Sequence, residues 1–356
     1  MKIAIDLTPL FGRKHTGVEM YAVDLYRALL STNHKIIPIF HKENELDENP
    51  DAFIIPKTKR LWLENVSLVN AVKKINADVT FFPIFPPPIT VYNKCDSKIV
   101  PTLHDFAFLK YRQTLNFAAK YYLTPKMLMA FRRADAVITI SETVKKILMG
   151  YTKRPVFNCG ENISIDYKDA LLQVDESFLR RWNLKEQDYI ISVSTLEPRK
   201  NMKYLMQVIK PFLHRTKKKL VLAGRCGWEH DKDYFQLLQS MGDDVIVTGY
   251  LEHKELVSLY KYAYAFALLS LDEGFGRTPF EAVASGCKRI ILSDIEIFRE
   301  TFDHNAMFLP LNDVNLAQKN LLEMHLPLVA DGFELPFDVL EGRVSCFLEE
   351  FLKKKN

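Results

Sequence analysis

Short runs of β-branched and aromatic residues alternate with helical stretches along the whole chain, a rhythm that fits little besides parallel α/β sheets. Strands are expected at Lys2–Asp6, Ile36–Phe40, Val79–Pro83, Lys98–Leu103, Ala136–Ile140 and Val156–Cys159, with a helix over Val18–Leu30 after the first. A second series begins at Tyr189–Ser194 and continues through Lys219–Ala223, Asp244–Thr248, Tyr264–Leu269 and Arg289–Leu292. Between the two series lies an irregular stretch, Glu161–Asn183, read as the crossover. An amphipathic final helix, Glu341–Lys354, is expected to return to the first domain. A chain of 356 residues is oversized for one domain and comfortable for two. The expected division is 1–165, 166–340 and a closing helix over 341–356. Doubly wound sheets bind ligands beyond the carboxyl ends of their strands, and two facing domains enclose a cleft. Residues just after strands are therefore the ones to interrogate.

Composition removes several alternatives. No stretch approaches about 18 uninterrupted apolar residues, so no membrane span is expected. The opening MKIAIDLTPLF is broken by Asp6 and reads as a strand rather than a signal peptide. Five scattered cysteines (Cys95, Cys159, Cys226, Cys287, Cys346) form no CxxC pair. Small buried or semi-buried thiols in a reducing cytoplasm are expected from them. The net charge of +4 hides a basic segment, Pro101 to Gly160, with ten Lys or Arg against three acids. Such an excess points to an anionic partner, a membrane surface or a phosphate. It lacks any recognition motif for nucleic acid, so no nucleic-acid partner is expected. No GxGxxG occurs, which leaves a dinucleotide dehydrogenase with little support.

The densest constellation follows the strand ending at Leu269, in the run SLDEGFGRTPFEAVASG. Seven residues separate Glu273 from Glu281, with Gly274, Phe275 and Gly276 after the first of them. Glycines here let the backbone approach a ligand closely. Thr278 at N-cap, Pro279 at N1 and Glu281 at N3 fit a capping box, and the helix N-terminus suits a phosphate. On spacing alone, Glu281 is as readily a capping carboxylate as a ligand, and Glu273 as readily a solvated loop acid.

EGFGRTPFEAVASG resembles the Glu-x7-Glu signature of the retaining family-4 glycosyltransferases of GT-B fold, written E-G-F-G-x-x-x-x-E followed by A-x-A-x-G. The resemblance implies two Rossmann-like doubly wound domains with an interdomain cleft, 1–165 binding the acceptor and 166–340 the nucleotide sugar. It also implies transfer of a hexose from a nucleoside diphosphate sugar to a glycan or lipid-linked acceptor. In that reading Glu281 accepts hydrogen bonds from the ribose and Glu273 lies near the donor hexose. The amides around Phe275 and Gly276, with Gly274, Arg277 and Thr278, hold the sugar and diphosphate. ISVSTLEPRKN resembles the family's diphosphate loop, where Arg199 and Lys200 would neutralise the leaving group as its charge grows. LVLAGRCGW and VIVTGYLEHKELVSLYKYA match as well, placing Gly249, Tyr250 and Leu251 beside the base.

In the first domain, PTLHDFAF puts His104 and Asp105 just after a strand. By resemblance His104 contacts the donor sugar, while Asp105 orients the imidazole or faces the acceptor. Gly17 precedes the first helix and permits a tight turn toward the diphosphate. Ser141 and Glu142 read as helix caps. Asp231 and Asp233 have DxD spacing but lie in a polar stretch, and are read as a helix start or solvated loop. Neither metal nor other cofactor is expected, because the family stabilises its leaving group with basic groups and helix dipoles. TLEPRKN is similar to mannosyltransferase members, so GDP-mannose is the expected donor and bacterial surface polysaccharide, such as lipopolysaccharide O-antigen, the expected product. The family explains retention by front-face attack, the leaving phosphate oxygen taking the acceptor proton. A nucleotide-sugar epimerase or hydrolase of the same fold, or a non-enzymatic binding subunit, is the alternative. The segment YRQTLNFAAKYYLTPKMLMAFRRADA sets bases among aromatics and suggests peripheral docking on an anionic membrane.

Overall fold

A computed structural model describes residues 1–10, 17–41, 49–56, 58–111, 119–163, 165–225, 227 and 232–353. The chain divides into two compact units, Met1–Ser164 with Phe337–Asn356, and Ile165–Pro336. The first is built on seven strands: β1 (Lys2–Asp6), β2 (Lys35–His41), β3 (Phe53–Ile55), β4 (Val79–Phe82), β5 (Lys98–Leu103), β6 (Val137–Thr139) and β7 (Val156–Asn158). They pair in parallel in the order β3-β2-β1-β4-β5-β6-β7. The second unit holds β8 (Tyr189–Val193), β9 (Lys219–Ala223), β10 (Val245–Gly249), β11 (Ala265–Leu268), β12 (Ile290–Ser293) and β13 (Met307–Leu309). Their order, also parallel throughout, is β10-β9-β8-β11-β12-β13. Chain order reverses between β1 and β4 in one sheet and between β8 and β11 in the other.

Central strands such as β8 and β11 are buried at every residue, because helices cover both faces of a parallel sheet. That is why they read as unbroken apolar runs. Two strands, β3 and β13, are absent from the sequence-based expectation. Each has three residues at a sheet edge, too short to show a period. The crossover is less irregular than expected, since short helices at Ile165–Ala170 and Ser177–Arg180 bury Tyr167 and Leu179. The closing helix is Val339–Lys353. Asn162 Oδ1 accepts from the amides of Val339 and Leu340 at 2.9 and 3.0 Å, fixing where the helix starts. Phe347 packs edge-on against Phe81 and Phe157 within the first unit.

Three further expectations change. Cys159 and Cys287 are buried and Cys95 is partly so, but Cys346 is exposed on the closing helix; Cys226 lies outside the described residues. Gly17 is the first residue of its helix rather than the residue before it, and Phe11–Thr16 lie outside the described residues. The basic segment is also less solvated than its composition implies. Lys126 is 3% exposed, with Nζ 3.2 Å from Glu64 Oε2, and Phe131 is in the core. A helix must bury one face, and here that face takes a lysine whose charge is met internally. Arg132, Arg133 and Lys110 remain at the surface; Arg112 and Phe117 lie outside the described residues. No helix among the described residues is long and apolar enough to cross a membrane.

Candidate active site

The loops that leave β8 and β11 diverge at the reversal point of the second sheet, and their charged residues meet there. Glu273 is 8% exposed. Its Oε1 accepts from Lys200 Nζ and from Ser270 Oγ, each at 2.7 Å, and its Oε2 from Arg199 Nη1 at 3.1 Å. Burial opposes its ionisation, yet the Lys200 and Arg199 charges and these hydrogen bonds more than reverse that, holding the carboxyl at about 2. Glu273 is thus an ion-paired anion, not a solvated loop acid.

Arg199 braces the two loops. It gives Nε and Nη2 to Glu197 Oε1 at 3.2 and 2.8 Å, and Nη1 to the Asp272 carbonyl at 2.8 Å as well as to Glu273. Its planar fork thus ties Glu197, the Asp272 carbonyl and Glu273 together. The backbone joins in, Leu271 N donating to Arg199 O at 2.9 Å. Glu197 and Ser270 carry this arrangement and were not singled out in the sequence. Glu197 stands inside TLEPRKN, where an acid just before two bases was the available signal, and its burial comes only with the fold.

The helix after the glycine-rich loop spans Arg277–Ala284, with Gly276 as N-cap at φ +87°. The capping-box reading therefore fails. Thr278 and Pro279 are the second and third helical residues and Glu281 the fifth, beyond reach of the first amides. A Cβ on Gly276 would lie 2.6 Å from Phe298 Cε1, and this packing together with the left-handed backbone sets the helix start. Gly274 is buried and Phe275 stacks on Phe280 at 5.1 Å. Glu281 is half-buried. Burial pushes its pKa up, and the Arg277 and His253 charges pull it back. Tyr167, reaching over from the crossover, donates to the Glu281 carbonyl at 3.1 Å and stacks edge-on with His253.

The neighbouring strands complete this end of the sheet. Ser194 N donates to Ala223 O at 3.0 Å, Leu196 N to Arg225 O at 3.0 Å, and Gly224 N to Gly249 O at 2.9 Å. Tyr250 is 44% exposed with the Arg225 guanidinium 4.8 Å from its ring centre, whereas Leu251 is buried. In the first unit, His104 Nε2 lies 2.7 Å from Pro83 O, so that nitrogen carries the proton, and its ring meets Tyr21 edge-on. Asp105 Oδ1 accepts from Ala107 N at 2.9 Å, beginning a short helix. Ser141 caps its helix by accepting from Val144 N at 3.2 Å. Asp233 opens a helix and pairs with Lys203 at 2.8 Å; Asp231 lies outside the described residues.

Two doubly wound sheets, with an ion-paired acid and a glycine-capped helix at the reversal point of the second, have the architecture of the GT-B glycosyltransferases. Residues 15–156 match the model of glycosyltransferase family 4, and residues 175–323 that of glycosyl transferases group 1. The O-antigen chain mannosyltransferase B of Escherichia coli is 30% identical over 334 residues, covering 86% of both chains. The chain therefore belongs to the family-4 glycosyltransferases. The serotype-specific mannosyltransferase WbdA of Escherichia coli is 28% identical over 239 residues, 62% of this chain, and the matched part is 29% of that longer protein. Among solved structures, the sucrose-phosphate synthase of Thermosynechococcus elongatus superposes with a TM-score of 0.66 at 18% identity, over 99% of this chain and 97% of its own.

Proposed function

We propose that this protein is a retaining hexosyltransferase that moves mannose from GDP-mannose to a glycan or lipid-linked acceptor in bacterial surface polysaccharide synthesis. The relatives named for O-antigen and serotype-specific mannosyl transfer support the sugar and the product class. The carrying observation is the cluster of Glu197, Arg199, Lys200 and Glu273 at the sheet reversal, with Glu281 on the helix that follows the same glycine-rich loop. In this reading Glu281 receives the ribose hydroxyls. Lys200 faces the diphosphate, with Arg199 and Glu197 fixing its loop, and Glu273 lies near the hexose. The negative charge that grows on the leaving diphosphate is met by groups already in place, so little reorganisation is left for the reaction itself. The phosphate oxygen that departs takes the acceptor proton, and no side-chain nucleophile is needed. Neither metal nor cofactor is part of this mechanism. Transfer of labelled hexose from a panel of nucleotide sugars, with the product anomer assigned by NMR, tests it. Free hexose or an isomerised donor formed without acceptor would instead indicate the hydrolase or epimerase.

Glu281→Ala separates ribose binding from a structural role. Because Glu281 makes no cap, the melting temperature should stay near wild type. Affinity for the nucleoside diphosphate should fall roughly ten-fold or more, the scale of about 1–3 kcal/mol for a lost polar contact. Calorimetric titration with GDP reads the affinity, and unchanged binding would remove Glu281 from the donor site.

The enzyme is further proposed to work in the cytoplasm at an anionic membrane face. Exposed Leu61, Trp62 and Tyr121 in the first unit supply apolar contacts, and Lys110, Lys120 and Arg132 supply charge. Each surface base is worth about 1 kcal/mol near such a membrane. Co-sedimentation with anionic vesicles should weaken at high salt and in Lys110→Gln, Lys120→Gln and Arg132→Gln combined. Equal recovery with neutral vesicles rules docking out.

A further inference from the structure

We propose that Tyr167 is a positioning residue of the second unit, holding the Glu281 carboxylate in place through the backbone of its helix. The role rests on the reading in which Glu281 receives the ribose. Tyr167 lies 114 residues before Glu281, on the crossover helix Ile165–Ala170, and is 1% exposed. Its Oη is 2.6 Å from Ser285 Oγ and donates to the Glu281 carbonyl at 3.1 Å. Ser285 Oγ donates to that same carbonyl at 2.7 Å, and Ser285 N at 3.0 Å. An ordinary helical carbonyl accepts one amide, whereas two hydroxyls converge on this one as well.

The helix Arg277–Ala284 does not need the phenol in order to form. The Ser285 amide already closes the helical bond to Glu281 O, and Pro279, Phe280 and Ala282 are buried on its inner face. What the phenol adds is a link from Glu281 to a segment that is itself tied down. Asp175 N donates to Ser258 Oγ at 3.0 Å and Arg181 Nη1 to Glu255 Oε1 at 2.8 Å, both on the helix His253–Lys261. The Tyr167 ring meets His253, the first residue of that helix, edge-on at 5.7 Å. The tyrosine is therefore wedged between two helices, one carrying Glu281 and the other beginning just after Leu251. Burial pushes its phenol up, so it stays a hydrogen-bond donor throughout the working pH range. A carboxylate that must meet ribose hydroxyls has to be held to within about 0.5 Å by the groups behind it, and a braced backbone supplies that.

Calorimetric titration of the full chain with GDP, UDP and ADP tests the role, the probe being whichever of the three binds wild type most tightly. Tyr167→Phe keeps the ring and loses the hydroxyl, and should weaken the probe roughly five-fold, as should Ser285→Ala. In the transfer assay the loss should fall on the donor KM and leave kcat unchanged. Tyr189→Phe is the matched control, because its Oη also donates to a backbone carbonyl, that of Leu259 at 2.6 Å, on the helix His253–Lys261 rather than on that of Glu281. It should lower the melting temperature at least as much and keep affinity within about two-fold of wild type. In a Glu281→Ala background Tyr167→Phe should have no further effect on affinity, since the phenol acts only through Glu281. Wild-type affinity in Tyr167→Phe, an equal loss in Tyr189→Phe, or a full further loss in the double variant overturns the assignment. A wild type that binds none of the three nucleotides is a different failure, that of the transfer reading, and takes this role with it.

Discussion

Glu273→Ala is expected to abolish turnover and to lower stability by about 3 kcal/mol, the cost of stranding the partners of a buried ion pair. In a domain of this size that is a fall of roughly 6–12 °C in melting temperature. Arg199 keeps Glu197 in the variant, whereas Lys200 loses the carboxylate 2.7 Å from its Nζ. The pH dependence has a definite sign. The carboxyl of Glu273 is held at about 2, below its ordinary 4.5. The depressed value means the native state favours the ionised form. Its stabilisation is fully present above the ordinary value and is lost as pH falls through about 2. The gap in melting temperature between wild type and variant should therefore be open at neutral pH and close under strong acid. Glu273→Gln retains the shape but removes the charge, and should destabilise at neutral pH nearly as much. A Glu273→Ala protein that melts like wild type at pH 7 would show that the cluster contributes nothing to stability.

Gly224→Ala is expected to be at least as damaging, through the backbone alone. Gly224 has φ +141°, and a Cβ there would lie 1.9 Å from the carbonyl oxygen of Ser194. No rotamer relieves a clash with main chain, so the loops after β8 and β9 must separate. That breaks the bonds from Ser194 N to Ala223 O and from Leu196 N to Arg225 O. We expect a loss of about 3 kcal/mol or more, in the range reserved for strain at special backbone positions combined with broken contacts. Gly249→Ala is the control. Its φ is also positive, at +70°, but an added Cβ meets nothing within 4 Å. The cost there should be only about 1 kcal/mol. Circular dichroism melts of the two variants side by side decide the matter, and equal destabilisation would mean that conformation rather than close approach is what Gly224 supplies.

Much of the fold was legible because its signals are local. The runs at Lys98–Leu103 and Lys219–Ala223 are strands over the bounds their apolar residues mark, since burial on both faces of a parallel sheet leaves a continuous pattern. Ser141 was readable as a cap because its partner, Val144, is three residues away. The run from Glu273 to Glu281 was visible as a unit for the same reason.

What lay out of reach depends on partners far along the chain or on a backbone choice of a few degrees. Thr278-Pro279 looked like a helix start, yet Gly276 takes the left-handed conformation against Phe298 and moves the start two residues earlier. Lys126 read as a surface base until Glu64, 62 residues before it, proved to face it. That Arg199 meets Glu273 was out of sight too, since the sheet brings them together across 74 residues. The sequence by itself determined two parallel sheets and the loops that would carry chemistry, because period and turn residues act over short spans. Which charges in those loops meet each other, and which are left to meet a ligand, only the tertiary structure decided. Coulombic pairing depends on distance in space, and the reversal of strand order sets that distance.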